Sequence, residues 1–520
     1  MRSFILAFTC VIIVGTCALL SHSAEETINV QIQLVDADTN QPIAGIIRIF
    51  PADGKKALTL PGLVDRLQGI KRSDKVQGWF VLPSEGASLM LLRQELRVEA
   101  LSGLETELAQ QSIDPKTTKK IQIKVKAIFR PEKHSLVAGN THLHLRNMTL
   151  SKADQYLKTI PTADRLKVLF ISYLERNKDD KHYITNRYPV GDLKKLQVAG
   201  VLINNGEEHR HNFEAYKQGY GHVMFLNIQK LVQPVSLGQG ITCRGNDDLM
   251  LAPGIANARE KGGSVIWCHN TFGHEDIIHA LAGRLDAVNV FDGSRRDSYD
   301  DTWYHYLNIG LRLPISTGTD WFMYDFSRVY ALVSQKKVTI PSWLQALKAG
   351  RNHVTNGPLL SIEVNGSSPG EVVALKKTNK VSVKVRALGR SNFGKLQLVH
   401  NGKVIHSASA KKKANHFQSE INIQMPLGEA CWLAARIETT NRNEFGQPLF
   451  AHTSPVYVDL NGKSVFKLSS AQELLKQLGE GRAAIRAQGM FTSDRARDRV
   501  LKSYDEAVAD LKKRINNRGK

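Results

Sequence analysis

Only five cysteines occur in 520 residues, and that scarcity excludes two kinds of protein. Cys10 and Cys17 fall in an apolar N-terminal stretch, which leaves Cys243, Cys268 and Cys431. Three widely spaced cysteines do not make a disulfide framework, and no Cys-x-x-Cys pair is present to hold a structural zinc. Long apolar runs are scarce too. After residues 4–20 none approaches the ~20 residues that cross a bilayer, so no transmembrane span is expected once that first run is removed. Acidic side chains are the minority charge, 49 against 70 Lys and Arg, for a net +21. This surplus points to an anionic neighbourhood, an acidic polymer or an envelope surface. It comes without a zinc finger, an RNA-binding motif or a helix-turn-helix pattern, so specific nucleic-acid binding is not expected.

What is present begins with Arg2, the apolar run 4–20 and small residues 21–24 ahead of Glu25-Glu26. That layout is a signal peptide over residues 1–24 and implies a periplasmic or secreted protein. The length and the 42% hydrophobic content suit two to four domains, each with its own core. From Thr27 the pattern alternates, with Ile28, Val30, Ile32 and Leu34 on one side. Similar short segments at 47–50, 78–82, 96–99 and 121–125 predict a β-sandwich over 25–130. The phrase from Val35-Asp36-Ala37-Asp38 to Ile43-Ala44-Gly45 resembles the opening of carboxypeptidase-regulatory-like modules.

Past Pro131 apolar runs at 168–172, 201–204, 222–228, 264–268, 287–291 and 313–316 alternate with helical stretches at 249–261 and 275–282. Strands buried on both faces read as unbroken apolar runs, and alternation with helices predicts parallel βα units in an α/β barrel over 131–360. The two-residue period returns at 381–385, 396–398 and 421–423, with a hairpin turn at Asn401-Gly402. These segments predict a second β-sandwich over 361–460. A basic helical tail over 461–520 ends the chain. Its stripe of Val500, Leu501, Tyr504, Val508, Leu511 and Ile515 suits a helix packed on its own protein.

The barrel segment carries the chemistry. In Gly139-Asn140-Thr141-His142-Leu143-His144 two histidines one residue apart on an extended chain face the same way and can reach one ion. Four later segments add donors near strand ends: Gly206-Glu207-Glu208-His209-Arg210-His211, Tyr220-Gly221-His222, Val265-Ile266-Trp267-Cys268-His269 and Thr317-Gly318-Thr319-Asp320. Strand ends are where an α/β barrel places its site. His142, His144, Glu208, His222, His269 and Asp320 are the candidate ligands for one or two divalent ions, zinc, manganese or iron. Cys268, beside His269, reads as a small buried hydrophobe. His209 or His211 is the candidate proton shuttle, and Arg210 or Arg351 the candidate holder of an anionic substrate group.

On these segments, and on Gly350-Arg351-Asn352-His353-Val354-Thr355-Asn356-Gly357-Pro358, the chain resembles the PHP metallohydrolases, most closely their carbaryl-hydrolase-like CehA/McbA branch. The resemblance implies a distorted (β/α)7 barrel with metal at the strands' C-terminal ends, those six residues as ligands and Glu208 bridging. Two departures stand out. Family members commonly have Asp-His after the second strand, where this chain has Tyr173-Leu174-Glu175, and many have a histidine two positions after the aspartate, where this chain has Phe322. His209, His211 or Glu175 would have to compensate. The expectation is a metal-dependent hydrolase acting through activated water on an ester, carbamate, amide or phosphoester of a small molecule or saccharide. The alternative is a catalytically impaired PHP-fold protein that binds an anionic polymer or saccharide.

Overall fold

The computed structural model describes residues 26–518 except 53, 71–75, 175–181, 199, 215–216, 244, 293–301 and 335–336. The expected signal peptide and Glu175 lie outside the described residues. Among those described, no helix is long and apolar enough to cross a membrane.

Alternation along a strand buries one face, and the first strand, Thr27–Asp36, buries Val30, Ile32 and Leu34 in this way. It lies antiparallel to Ala87–Leu92 and parallel to Lys120–Val125. A five-stranded sheet built around Gly45–Pro51 supplies Ile47 and Ile49 to the same core. Arg66 fixes this module to the rest of the chain. Its side chain is wholly buried, with Nε donating to Asp164 Oδ1 at 3.0 Å and Nη2 donating to the Asp325 carbonyl at 3.2 Å. Further bonds join it to Asp164 Oδ2 and the Met323 carbonyl.

The middle of the chain forms a curled sheet. Its strands are β1 (Leu136–Asn140), β2 (Leu143–His144), β3 (Val168–Tyr173), β4 (Leu202–His211), β5 (Gly221–Leu226), β6 (Ser264–Cys268), β7 (Ala287–Asn289), β8 (Ile315–Ser316) and β9 (Asp320–Trp321). Side by side they run β8-β7-β6-β5-β4-β3-β1. β3 and β6 are buried along their whole length, as their unbroken apolar runs require. The short parallel pair of β2 with β9 brings the two ends of the curl together.

The expectation of parallel βα units throughout is corrected at β5, which runs antiparallel to both β4 and β6. Ten-residue β4 carries its polar end, Glu207 to His211, straight into pairing with β5, so no helix intervenes there. Helices do follow at Leu150–Ala163, Ala252–Glu260, Asp276–Leu281, Trp303–Asn308 and Ile340–Lys348. Among the described residues they are fewer than seven βα units would supply, and the architecture is mixed α/β and strand-rich.

The boundary expected at 360 does not separate two sheets. β10 (Arg328–Leu332) pairs with β1, β11 (Asn352–Thr355) with β10, and Pro448–Thr453 with β11. The sheet then continues through Cys431–Arg442 to Lys395–His400. A four-stranded sheet containing Leu359–Val364, Asn379–Gly389, His416–Leu427 and Lys411–Lys413 shares a core with that continuation. The turn at Asn401 and Gly402, with φ of 49° and 90°, joins Lys395–His400 to Lys403–Ser409 as the Asn-Gly signal predicts. In the tail, Asp494–Arg518 buries Val500, Leu501, Tyr504 and Leu511 against the main core.

Removing one partner of a buried ion pair leaves the other charge without compensation, at a cost of ~3–5 kcal/mol. Arg66→Met is therefore expected to lower the unfolding free energy by about that amount, read from the denaturant midpoint at unchanged m-value.

Candidate metal centre

Five of the six expected ligands are buried and His222 nearly so, and they converge on one place inside the curl. His142 and His144 arrive on the segment that includes β2. The His142 carbonyl accepts from the amides of Thr319 at 3.0 Å and Asp320 at 2.9 Å, which sets Asp320 beside both histidines. β4 brings Glu208. His222 opens β5, yet because β5 is reversed its first residues lie level with the last residues of β4 and β6, opposite Arg210 and Cys268.

His269 needs a different device. Alternation would turn it away from Cys268's face, but His269 has φ 54° and the chain swings its ring inward. Asp320 also has φ 54°, and Thr271, Phe291 and Phe322 have φ of 73°, 61° and 56°. Left-handed backbone in residues other than glycine stores roughly 1–3 kcal/mol each and collects at functional sites.

The hydrogen bonds fix where the lone pairs point. His144 Nδ1 donates to the Ser172 carbonyl at 2.9 Å and His142 Nδ1 to Asp292 Oδ2 at 2.7 Å. Each ring thus presents its Nε2 to the centre, and the two nitrogens stand 2.9 Å apart. Two ring nitrogens that close share either a proton or a cation. Glu208 Oε2 is 3.1 Å from His144 Nε2 and 3.9 Å from His142 Nε2. Asp320 Oδ1 is 3.4 Å from His142 Nε2 and 3.6 Å from His144 Nε2. Ligand atoms ~2.0–2.2 Å from a tetrahedral cation lie about 3.3–3.6 Å from one another, so these separations bracket what a metal requires.

A second set shares the same carboxylates. Glu208 Oε1 is 2.9 Å from His222 Nδ1 and 3.9 Å from His269 Nε2, and Asp320 Oδ2 is 3.8 Å from His269 Nε2. Asn212 Oδ1, 3.0 Å from His222 Nε2, directs the other nitrogen inward. Among the described residues Asp320 Oδ1 is buried without a hydrogen-bond partner. Buried polar atoms left in that state are rare unless an ion or water completes them. The residues therefore fit a divalent cation: these buried histidine and carboxylate groups could hold one.

The electrostatics point the same way. Burial, with the neighbouring Glu208 and Asp292 charges, pushes the Asp320 carboxyl up to about 8 even against the pull of His142. Burial also works against charge on Glu208, but hydrogen bonds to His144 and His222 hold it well below the ordinary carboxylate range. Burial drives His144 down to about 4 and His269 to about 3. His142 goes the other way, since Asp292 and Asp320 outweigh its burial. Three carboxylates crowded into one dry space call for a cation.

The remaining expected residues fall elsewhere. His209 and His211 alternate with Glu208 and Arg210 along β4 and face the other side of the sheet. His209 Nδ1 is 3.2 Å from Glu207 Oε1 and its Nε2 accepts from the Ser236 amide at 3.1 Å. His211 Nε2 is 3.2 Å from Asp247 Oδ1 and the ring stacks on Tyr220 at 3.9 Å. Neither belongs to the cluster. Arg210 shares the face of Glu208, opposite His222, and its charge acts on His144, His222 and Asp320. Arg351 lies by Leu332 at the far end of the sheet, its carbonyl accepting from the Leu332 amide at 2.8 Å. Phe322 is core, and Tyr173 donates to the Tyr188 carbonyl at 3.0 Å.

Asp292 is the residue that sequence reasoning missed. It is wholly buried, is oriented by Asn289 Nδ2 at 2.9 Å and holds His142. The signal was available, because Asp292 directly follows the apolar run 287–291 just as His269 follows 264–268. Cys268 is buried as expected, and burial pushes its thiol well above the usual range.

No family model, curated protein or solved structure matches the chain. The class is therefore defined by the site: a buried histidine–carboxylate cluster able to hold a divalent metal.

A carboxylate that fixes a ligating histidine typically contributes 10–100-fold to metal affinity. Asp292→Asn is expected to weaken zinc binding by about that factor, measured by competition with a chromogenic chelator. His209→Gln and His211→Gln should leave the affinity unchanged in the same titration.

Proposed function

We propose that the chain is an exported, metal-dependent hydrolase of the PHP type, allied to the CehA/McbA branch, with a barrel-like centre between two β-sandwich modules. One observation carries this: the two oxygens of Glu208 are divided between two donor sets, Oε2 toward His142 and His144 and Oε1 toward His222 and His269. A bridging carboxylate with two histidines on either side suits a pair of ions, and Asp320 divides its oxygens in the same sense. Divalent cations so held supply Lewis acidity and bring the pKa of bound water toward ~7.

The chain's own contribution is orientation and exclusion of water. Asp292 and the Ser172 carbonyl lock the two rings of the first set, and Asn212 locks His222. Arg210, on the inner face beside His222, is the group that would hold an anionic part of a substrate. Tyr183 and Trp321, stacked at 5.2 Å, and Arg146, 4.8 Å from the Trp321 ring, add an aromatic and cationic wall next to His144. A carbonyl or phosphoryl compound, ester, carbamate, amide or phosphoester, is the substrate class.

A second reading is a chain that binds an anionic saccharide without turnover. It rests on the two positions where Tyr173-Leu174 and Phe322 stand in place of family ligands.

The test is a panel of chromogenic esters, carbamates, amides and phosphodiesters. Protein stripped with chelator should be inactive and recover on addition of zinc, manganese or iron(II), and Glu208→Gln should not recover. Metal-loaded protein with no turnover on any class would favour the second reading.

A further inference from the structure

At the end of the central sheet away from the metal centre lies a cleft of about 1160 Å³. Leu136, which opens β1 and lines this cleft, precedes His142 by six residues, about 20 Å along an extended chain. One wall is the outer face of the four-stranded sheet. Ser361 lies opposite Arg386, and Arg386 opposite Glu420. Opposed residues share a face, and the alternate positions Ile362, Val385 and Ile421 are turned into the core. The facing wall carries Phe129 and His134, whose rings stack at 4.8 Å and 6°.

Arg351 is the informative residue. Among the described residues it has no ion-pair partner, and its Nε is buried without a hydrogen-bond acceptor. The side chain as a whole is half-buried and lines the cleft, so its charge is open to an anionic group of a ligand. Lys411 and Lys413 line the same cleft, likewise without ion-pair partners among the described residues. Of the two acids there, Glu420 is already held by Arg386 at 3.3 Å, and Glu363 is the other.

We propose that this cleft binds an acidic pyranose within a polysaccharide. Its carboxylate or sulfate would sit on Arg351 with Lys411 and Lys413 near, and its ring face would lie against Phe129 and His134. Its hydroxyls would meet Ser361, Gln418 and the acids. The mixture of groups selects this ligand. A neutral apolar amphiphile would leave Arg351, Lys411 and Lys413 without a counter-charge, and an inorganic anion would fill a small part of the space. A polyphosphate chain, charged at every residue, would meet Glu363 and Glu420, whereas sugar hydroxyls donate to carboxylates. The site is separate from the metal centre and does not depend on the hydrolase proposal.

The experiment is calorimetric titration of the full chain with trigalacturonate, a chondroitin sulfate hexasaccharide, maltotriose and a short single-stranded oligothymidine. One of the two acidic saccharides is expected to bind in a 1:1 complex, which distinguishes carboxylate from sulfate, while neutral maltotriose does not bind. Arg351→Met should weaken that binding at least about tenfold, the loss of a charge-assisted hydrogen bond. Ser361→Trp changes no charge and sits on an exposed strand face, and it should abolish binding by filling the cleft. The His142→Ala/His269→Ala variant should bind as wild type does. Absence of binding by both acidic saccharides, equal binding by Ser361→Trp, or tighter binding of oligothymidine would each overturn the proposal.

Discussion

The site depends on one short piece of backbone pairing: the His142 carbonyl receiving the amides of Thr319 and Asp320. Around it Asn140 Nδ2 donates to Thr319 Oγ1 at 2.8 Å across 179 residues of sequence, and Thr141 Oγ1 donates to the Thr317 carbonyl at 2.9 Å. Every member of this seam is buried, so no water competes for its bonds. The seam joins the first and last strands of the curl and delivers His142, His144 and Asp320 to one point. Loop entropy opposes a contact of such long range, and the surrounding packing must outweigh it. Phe322, Met323 and Leu143 belong to the core cluster that also takes in Trp79 and Leu67 of the N-terminal module, and Arg66 reaches the carbonyls of Met323 and Asp325. The N-terminal module thus buttresses the loop that follows Asp320.

The cluster itself stores electrostatic tension. Three carboxylates and four histidines share a volume from which water is largely excluded, and the pKa directions diverge: Glu208 down, Asp320 up, His142 up, His269 down. Divergence of this kind within one space marks a functional site more often than a structural one. Left-handed backbone at His269 and Asp320 adds conformational strain at two of the same positions, which the packing around them must hold.

Much of this was legible in the chain. Alternation at 27–34 and unbroken apolar runs at 168–172 and 264–268 leave an imprint because burial on one face or two constrains composition at every position. The strand-end rule found six residues that do converge, and would have found Asp292 had the run 287–291 been followed one residue further. What was not legible is direction and face. The reversal of β5 is set by the pairing of Glu208 with Met224 and Arg210 with His222, a long-range choice that no local periodicity records. The same alternation that places Glu208 and Arg210 inward turns His209 and His211 outward, so an imidazole's presence near a ligand said nothing of its role. Arg351 lies at the far end of the sheet, because β10 runs antiparallel to β1 and carries the chain there before β11 begins. At the break expected at 360 the pairing is again long-range. A composition shift marks where helices stop, not where a sheet ends, and the central sheet continues into Pro448–Thr453.

The central claim is that Glu208 bridges two cations, and electron paramagnetic resonance of the manganese-loaded protein tests it most directly. Two ions sharing a carboxylate lie about 3.5–4 Å apart, close enough for their spins to couple. Titration to two equivalents is predicted to yield a coupled spectrum that Glu208→Ala reduces to that of an isolated ion. An uncoupled signal saturating at one equivalent, or no uptake at all, would contradict the account.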